Sequence, residues 1–381
     1  MRISHFCFAL DSESGGVPAG VVMTAVQLTK FGISNQIISL GNTELQLQQN
    51  ANLISQLNSS GVGYRYTIAR IKNDYGVAPL MQFKEAVAAL PKPDFIVLHQ
   101  IYSMSTILGF FYARKNNIPY AVKPHGSLTK YHESDSKSIK YIAKKVIISK
   151  ILLESNSIIV TCNSEKSDLP AMLQAKTTLI PYGSPEWNNK NEERLLFGKT
   201  ESDLRIIFIG RFDKKKNLPV LIKSLPKVIE TYPNLILDIA GSGTAKEVKD
   251  IERLVSSLNL ESNVCFHGWI DLAMKQKLLK VSRLLVLPSE NENFAVVVSE
   301  ALSLGIPCVL SKFVGTADIV ARYQAGVVLD QINPSTVADA IMQVIQGDST
   351  FFRNAALQAT RVEFDWKKIS MQWKVLISSF T

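Results

Sequence analysis

Two basic side chains, two carboxylates and a few glycines and histidines have the types and spacing to do chemistry on an anionic ligand. In FIGRFDKKKNLPVLIKSL, Arg211 directly follows an apolar run ending in Gly210, and Lys216 stands where the next helix should start. Two cations held there can neutralise the charge that develops on a departing diphosphate. A solvated basic loop is the alternative for the same residues. In LLVLPSENENFAVVVSEALSLGIPCV, Glu292 stands near a strand end, and Glu300 lies within a helix predicted to begin near Ala295. Both carboxylates can then face the carboxyl ends of the strands, although exposed helix glutamates give the same pattern. Gly15 and Gly16 end the first apolar run just before a helical stretch, where backbone can approach a phosphate closely. Their spacing is not GxGxxG, and an ordinary tight turn also fits. His99 closes DFIVLHQ and His125 lies in VKPHGSL just after another strand, each a hydrogen-bonding group for the protein or for a ligand. The GSG run at Gly241–Gly243 has Lys246 in the place of a dinucleotide fingerprint's third glycine, so it is read as a structural turn.

The elements that must position these residues are short apolar runs alternating with longer amphipathic stretches, the pattern of parallel sheets covered by helices. Strand candidates in the first half are RISHFCFAL, NQIISL, DFIVLHQ, YAVKPHG and SIIVTCNS, with a helix over Ala19–Phe31. In the second half they are LRIIFIG, LILDIAG, NVCFHG, RLLVLPS and PCVLS. The polar run GSPEWNNKNEERLLFGKTESD between the halves reads as a linker. FDWKKISMQWKVLISSF carries apolar residues at helical spacing and predicts a terminal helix.

With 381 residues the chain exceeds the size at which single cores stop growing, so two α/β domains are expected. A hydrophobic fraction of 46% with 20% charged residues argues against extended disorder. The net charge is +9, and residues 1–183 hold 18 Lys+Arg against 11 Asp+Glu, so the first half carries most of the excess. This favours an anionic partner, such as a phosphate or a membrane surface. SKSIKYIAKKVIISKILL, residues 136–153, interleaves five lysines with apolar residues. It reads either as a surface-lying membrane contact or as a core helix with a basic face. The N-terminal apolar run is too short for a membrane span and lacks a cleavage signal, so a cytoplasmic location is expected. Cys7, Cys162, Cys265 and Cys308 lie far apart, without the spacing of a zinc or redox motif. The sequence has no DxD triplet or other grouping of oxygen ligands for Mg²⁺ or Mn²⁺, so no metal and no cofactor is expected.

In order and spacing these residues resemble the signature of glycosyltransferase family 4, retaining enzymes of the GT-B fold that include bacterial surface-polysaccharide glycosyltransferases. The resemblance runs from the Gly-Gly turn through PHGSL, IPYG at Ile180–Gly183 and GRFDKKKN to the Glu292–Glu300 pair. It implies two Rossmann-like domains facing across a cleft: an acceptor domain over 1–183, completed by a crossing helix over 365–381, and a nucleotide-sugar domain over 184–364.

By the same resemblance, Arg211 and Lys216 hold the donor diphosphate and Glu300 binds the ribose hydroxyls. Glu292 positions the transferred sugar with backbone N–H groups of Asn293, Phe294, Ala295, Val296 and Val297. Gly16 brings its backbone to the phosphate or sugar, and His125 contacts a sugar hydroxyl. The family commonly has glycines around the phenylalanine, where this chain has Asn293 and Ala295, which implies a narrower sugar pocket. The expected reaction takes a UDP- or GDP-sugar and a saccharide acceptor, lipid-linked at the inner membrane face, in bacterial polysaccharide synthesis. No nucleic acid partner is expected. A nucleotide-sugar epimerase of the same architecture and a non-catalytic nucleotide-sugar binder are the rivals; an NAD-dependent oxidoreductase is disfavoured by the missing GxGxxG.

Overall fold

The structure is a computed structural model that describes residues 1–8, 10, 16–42, 51–68, 80–128, 139–185, 187 and 204–381. Gly15 and most of the expected linker lie outside the described residues. The chain divides into two compact units, Met1–Tyr182 with Trp366–Thr381, and Gly183–Asp365. Gly183 and Asp365, expected in the first domain, both fall in the second unit.

The first unit is built on a parallel sheet of β1 (Arg2–Cys7), β2 (Ser34–Asn42), β3 (Gly63–Ile68), β4 (Phe95–His99), β5 (Tyr120–Lys123), β6 (Ser157–Val160) and β7 (Thr177–Leu179). The order is β3-β2-β1-β4-β5-β6-β7. The central strands are mostly apolar because both faces are covered, and β4 is buried at every residue, His99 included. Alternation assigns the faces. Phe6, Ile96, Leu98 and Val122 pack against Phe110 and Ala113 of the helix Met104–Lys115. A Cβ on Gly109 would stand 2.5 Å from Leu98 Cδ2, so glycine lets this helix lie close to the sheet.

On the other face, Ile3, Phe95, Val97 and Ala121 meet Trp366, Ile369, Trp373, Leu376 and Ile377 of the terminal helix Trp366–Ser378. Three- and four-residue spacing aligns those apolar side chains on one stripe. The helix Ile139–Glu154 carries the lysine-rich stretch, whose residues 136–138 and side chains through 145 lie outside the described residues. Further along, Ile148, Ile151 and Leu152 are buried in the core, whereas Val146 and Leu153 are exposed. None of the described helices is long and apolar enough to cross a membrane.

The second unit has β8 (Arg205–Ile209), β9 (Ile236–Ala240), β10 (Val264–Gly268), β11 (Leu284–Leu287), β12 (Cys308–Ser311) and β13 (Gly326–Leu329), ordered β10-β9-β8-β11-β12-β13 and all parallel. Its amphipathic helices Leu218–Ile229 and Pro334–Gln346 pack together, burying Leu221, Ile222, Leu225, Val337 and Ile341. Gly241 adopts φ 132°, and a Cβ there would lie 1.9 Å from the Gly210 carbonyl oxygen. Thr244 and Glu247 then start the helix Ala245–Ser257 with a reciprocal capping box.

Candidate functional site

In an open parallel sheet, ligands bind at the carboxyl ends of the strands where the strand order reverses. In the second unit that point lies between the neighbours β8 and β11. The basic run follows β8 and the carboxylate run follows β11, so the topology brings together groups about eighty residues apart in sequence. The two loops are tied directly, since the Glu290 N–H donates to the Lys215 carbonyl at 2.7 Å.

Lys216 closes a short 3₁₀ turn, Lys214–Lys216, and its ammonium donates to the Glu292 carboxylate. Burial, together with the Arg211 and Lys215 charges, pushes Lys216 down to about 8, against the pull of Asp213. Arg211 is exposed and lies 3.7 Å from Asp213 Oδ2. Its guanidinium therefore stands at the open side of the loop with its forked donors available to an anion.

Glu292 is fixed through its backbone, donating to the Phe313 carbonyl at 3.1 Å and accepting from the Gly315 N–H at 2.9 Å. Asn293 and the buried Phe294 lead to Ala295, which holds φ 56° and ψ 73° immediately before the helix Val296–Ser303. This left-handed residue turns the chain into the helix. The Val298 N–H is taken by the Ala295 carbonyl at 2.8 Å. The N–H groups of Val296 and Val297 belong to the helix's first turn, where intrahelical acceptors are lacking and the helix dipole favours an anion or a hydroxyl oxygen. Glu300, in the second turn, is buried and receives both of its hydrogen bonds from Lys275, at 2.8 and 3.0 Å. Lys275 was not expected from sequence. It lies on the helix Leu272–Val281, where a lysine among other lysines gives no signal until the fold sets it against Glu300.

The remaining expected residues belong to the first unit. Gly16 is exposed and opens the helix Gly16–Lys30 after β1. His125 follows β5 in a left-handed conformation (φ 56°), and both ring nitrogens are occupied. Nε2 faces His99 Nδ1 at 2.8 Å, and Nδ1 faces the Tyr182 hydroxyl at 2.9 Å. Without a ligand, the imidazole expected to contact a sugar hydroxyl thus has both nitrogens hydrogen-bonded within the protein. His99 continues to His5 Nδ1 at 3.0 Å, and His5 Nε2 to Asn35 Oδ1 at 3.0 Å. Burial lowers His5 to about 4 and holds His99 and His125 well below the usual imidazole range. Lys123, fully buried and pushed down to about 7, holds its ammonium 4.0 Å above the Tyr182 ring.

Sequence reasoning missed His5, Asn35 and Lys123. The signal is alternation: in Ile3-His5, Phe95-Val97-His99 and Ala121-Lys123 these residues share a face once β1, β4 and β5 are neighbours.

Among the described residues, one group has metal-ligand geometry: Asp238, Cys265 and His267. Arg205 already grips Asp238 with two hydrogen bonds, at 2.8 and 2.5 Å, and His267 Nε2 lies 2.6 Å from Asp238 Oδ1. A guanidinium thus neutralises the carboxylate that a metal would need, and the group reads as a half-buried polar clamp, centred on the buried Asp238, between β8, β9 and β10.

Residues 189–359 match the family described as glycosyl transferases group 1. Among curated proteins, an uncharacterised glycosyltransferase of Methanocaldococcus jannaschii is 29% identical over 49% of this chain and 47% of its own. The chain therefore spans about half the length of that relative. The phosphatidyl-myo-inositol mannosyltransferase of Mycolicibacterium smegmatis is 24% identical over 98% of this chain and 92% of its own. The crystal structure of Anabaena HepE in complex with UDP and glucose superposes with a TM-score of 0.75 over 100% of both chains, at 15% identity, which shows a shared GT-B fold. The match to the glycosyl transferases group 1 family falls on the second unit, the one in which the loops after β8 and β11 meet at the switch point.

Proposed function

We propose that this protein is a retaining, metal-independent glycosyltransferase that moves a sugar from a nucleotide-sugar donor to a saccharide acceptor. The observation that carries this reading is the meeting of Arg211 and Lys216 with Glu292 and Glu300 at the switch point of the second unit. Arg211 and Lys216 would take the diphosphate, Lys216 exchanging the Glu292 carboxylate for a phosphate oxygen. Glu292 and the Val296 and Val297 N–H groups would then hold the sugar, and Glu300 the ribose hydroxyls. The bond from the anomeric carbon to the phosphate oxygen breaks, and a bond to the acceptor oxygen forms on the same face. The acceptor's proton goes to the departing phosphate. Cations and the helix N-terminus stabilise that leaving group where a metal does so in other enzymes.

The first unit would serve the acceptor. A lipid-linked saccharide at the inner membrane face, in bacterial polysaccharide synthesis, accords with the +7 excess of residues 1–183 and the lysine-rich helix. On that helix, Val146 and Leu153 are exposed apolar side chains that would serve peripheral membrane contact. Binding to vesicles containing anionic lipid at low salt tests that part; no binding removes its support.

The donor is tested by thermal stabilisation with a panel of UDP- and GDP-sugars, with and without EDTA, on the wild type and on Arg211→Ala. A ligand that binds the native state raises the melting temperature with its concentration over Kd. The expected result is a shift that survives EDTA and disappears in Arg211→Ala. A shift abolished by EDTA refutes metal independence, and a shift retained in the variant refutes the diphosphate role. Product analysis then separates transfer, a new glycosidic bond, from epimerisation of the free donor.

A further inference from the structure

We propose that Asn35 is the positioning residue that fixes, through His5 and His99, which ring nitrogen of His125 carries its proton. Two atoms beside the Asn35 amide, the Ile33 carbonyl oxygen and the Thr29 hydroxyl oxygen, can only accept. Asn35 Nδ2 donates to the Ile33 carbonyl at 2.6 Å and to the Thr29 hydroxyl at 3.2 Å. Thr29 directs its own proton to the Ala25 carbonyl at 2.8 Å, so its oxygen is left to accept. The amide therefore has one chemically consistent orientation, with Oδ1 toward His5 Nε2. His5 must carry its proton on Nε2.

Complete burial keeps the ring neutral near pH 7, His5 being lowered to about 4, so its Nδ1 is bare. That bare nitrogen accepts from His99 Nε2 at 3.0 Å. His99 is also neutral, and its bare Nδ1 accepts from His125 Nε2 at 2.8 Å. His125 Nδ1 then accepts from the Tyr182 hydroxyl at 2.9 Å. Four hydrogen bonds run in one direction from Tyr182 to Asn35, and reversing them would leave His5 Nε2 and Asn35 Oδ1 as two acceptors facing each other. The amide oxygen is too weak a base to take a proton at neutral pH. The chain therefore ends at Asn35, where it sets direction and does not conduct.

The consequence falls on the turn after β5. His125 (φ 56°) and Gly126 (φ 78°) are consecutive left-handed residues. The His125 ring lies 5.1 Å from His99 and 6.3 Å from Tyr182, centroid to centroid, nearly parallel to both. The Gly126 N–H donates to the buried Glu165 carboxylate at 2.7 Å. The imidazole is a strut that holds a strained turn, with its proton assigned from the far end of the sheet. If the transferase reading holds, a sugar meets this turn without using the His125 nitrogens.

Long-range ¹H–¹⁵N spectra of protein labelled at histidine, assigned with single histidine variants, read the tautomers directly and need no donor. A failed transferase assay therefore leaves this test untouched. The wild type is expected to show Nε2–H and bare Nδ1 at His5, His99 and His125 between pH 6 and 8. Tyr182→Phe should keep that pattern, because the order is set from the other end. Asn35→Leu should lose it, with Nδ1–H appearing at His125. Nδ1–H at any of the three in the wild type overturns the proposal, as does a folded Asn35→Leu with an unchanged pattern or a switch of His125 in Tyr182→Phe. Should Asn35→Leu fail to fold, the wild-type and Tyr182→Phe spectra decide.

Discussion

Each glutamate of the second unit's site already has a lysine: Glu292 has Lys216 and Glu300 has Lys275. Carboxylates withdrawn from water are costly unless paired; in the proposed reading a donor's phosphate would take Lys216 from Glu292, and its hydroxyls would take over Glu300 from Lys275. Lys275→Met tests this. Glu300 would lose both of its hydrogen bonds, and with Lys275 partly solvated the ligand-free protein is expected to lose about 1–2 kcal/mol. The thermal shift given by the nucleotide-sugar at fixed concentration should then exceed that of the wild type, because ligand hydroxyls satisfy the orphaned carboxylate. An equal or smaller shift means that Lys275 itself binds the donor. At this scale the two acids and the basic pair Arg211 and Lys216 were legible in the sequence, because strand-end motifs mark them. It did not show Lys275, His5, Asn35 or Lys123, whose roles come from neighbours that only the sheet order supplies.

Among the described strands three escaped the sequence, β3, β7 and β13, and each lies at a sheet edge. An edge strand is covered less completely, so its apolar run is short or broken: β7 and β13 have few buried residues, and β3 turns Arg65 and Tyr66 outward. The central strands were legible because burial on both faces demands continuous Val, Ile, Leu and Phe. The turn into the helix Val296–Ser303 was placed within a residue, yet its backbone conformation was invisible in the sequence. Ala295 there adopts a left-handed geometry that disfavours any Cβ. Ala295→Gly is expected to stabilise the protein by about 0.5–1 kcal/mol, the relief of strain exceeding the added freedom of the unfolded chain. Chemical denaturation measures it. A loss of stability would show that the methyl group's packing beside Phe294 outweighs the strain.

For the molecule as a whole, the main electrostatic feature is a set of buried bases inside a unit that already has excess positive charge. His5, His99, His125 and Lys123 are all held below their ordinary proton affinities by burial. The unfolded chain therefore binds more protons than the folded one wherever the pH lies between each group's folded and unfolded values, and stability must rise with pH there. For Lys123 that window runs from about 7 up to the ordinary lysine value. For His5 it runs from about 4 up to about 6.5, and protonating the unfolded chain across it costs the fold on the order of 3 kcal/mol. Acidification from pH 7 to 5 is thus expected to lower the urea midpoint followed through the buried Trp366 and Trp373, both in the first unit. Lys123→Met should raise stability at pH 7 and flatten the rise between pH 7 and 10, since it removes a buried ammonium that makes no ion pair among the described residues. If stability is instead level from pH 5 to 9, these groups titrate as they do in water, and neither the neutral histidine chain nor the turn it supports exists as described.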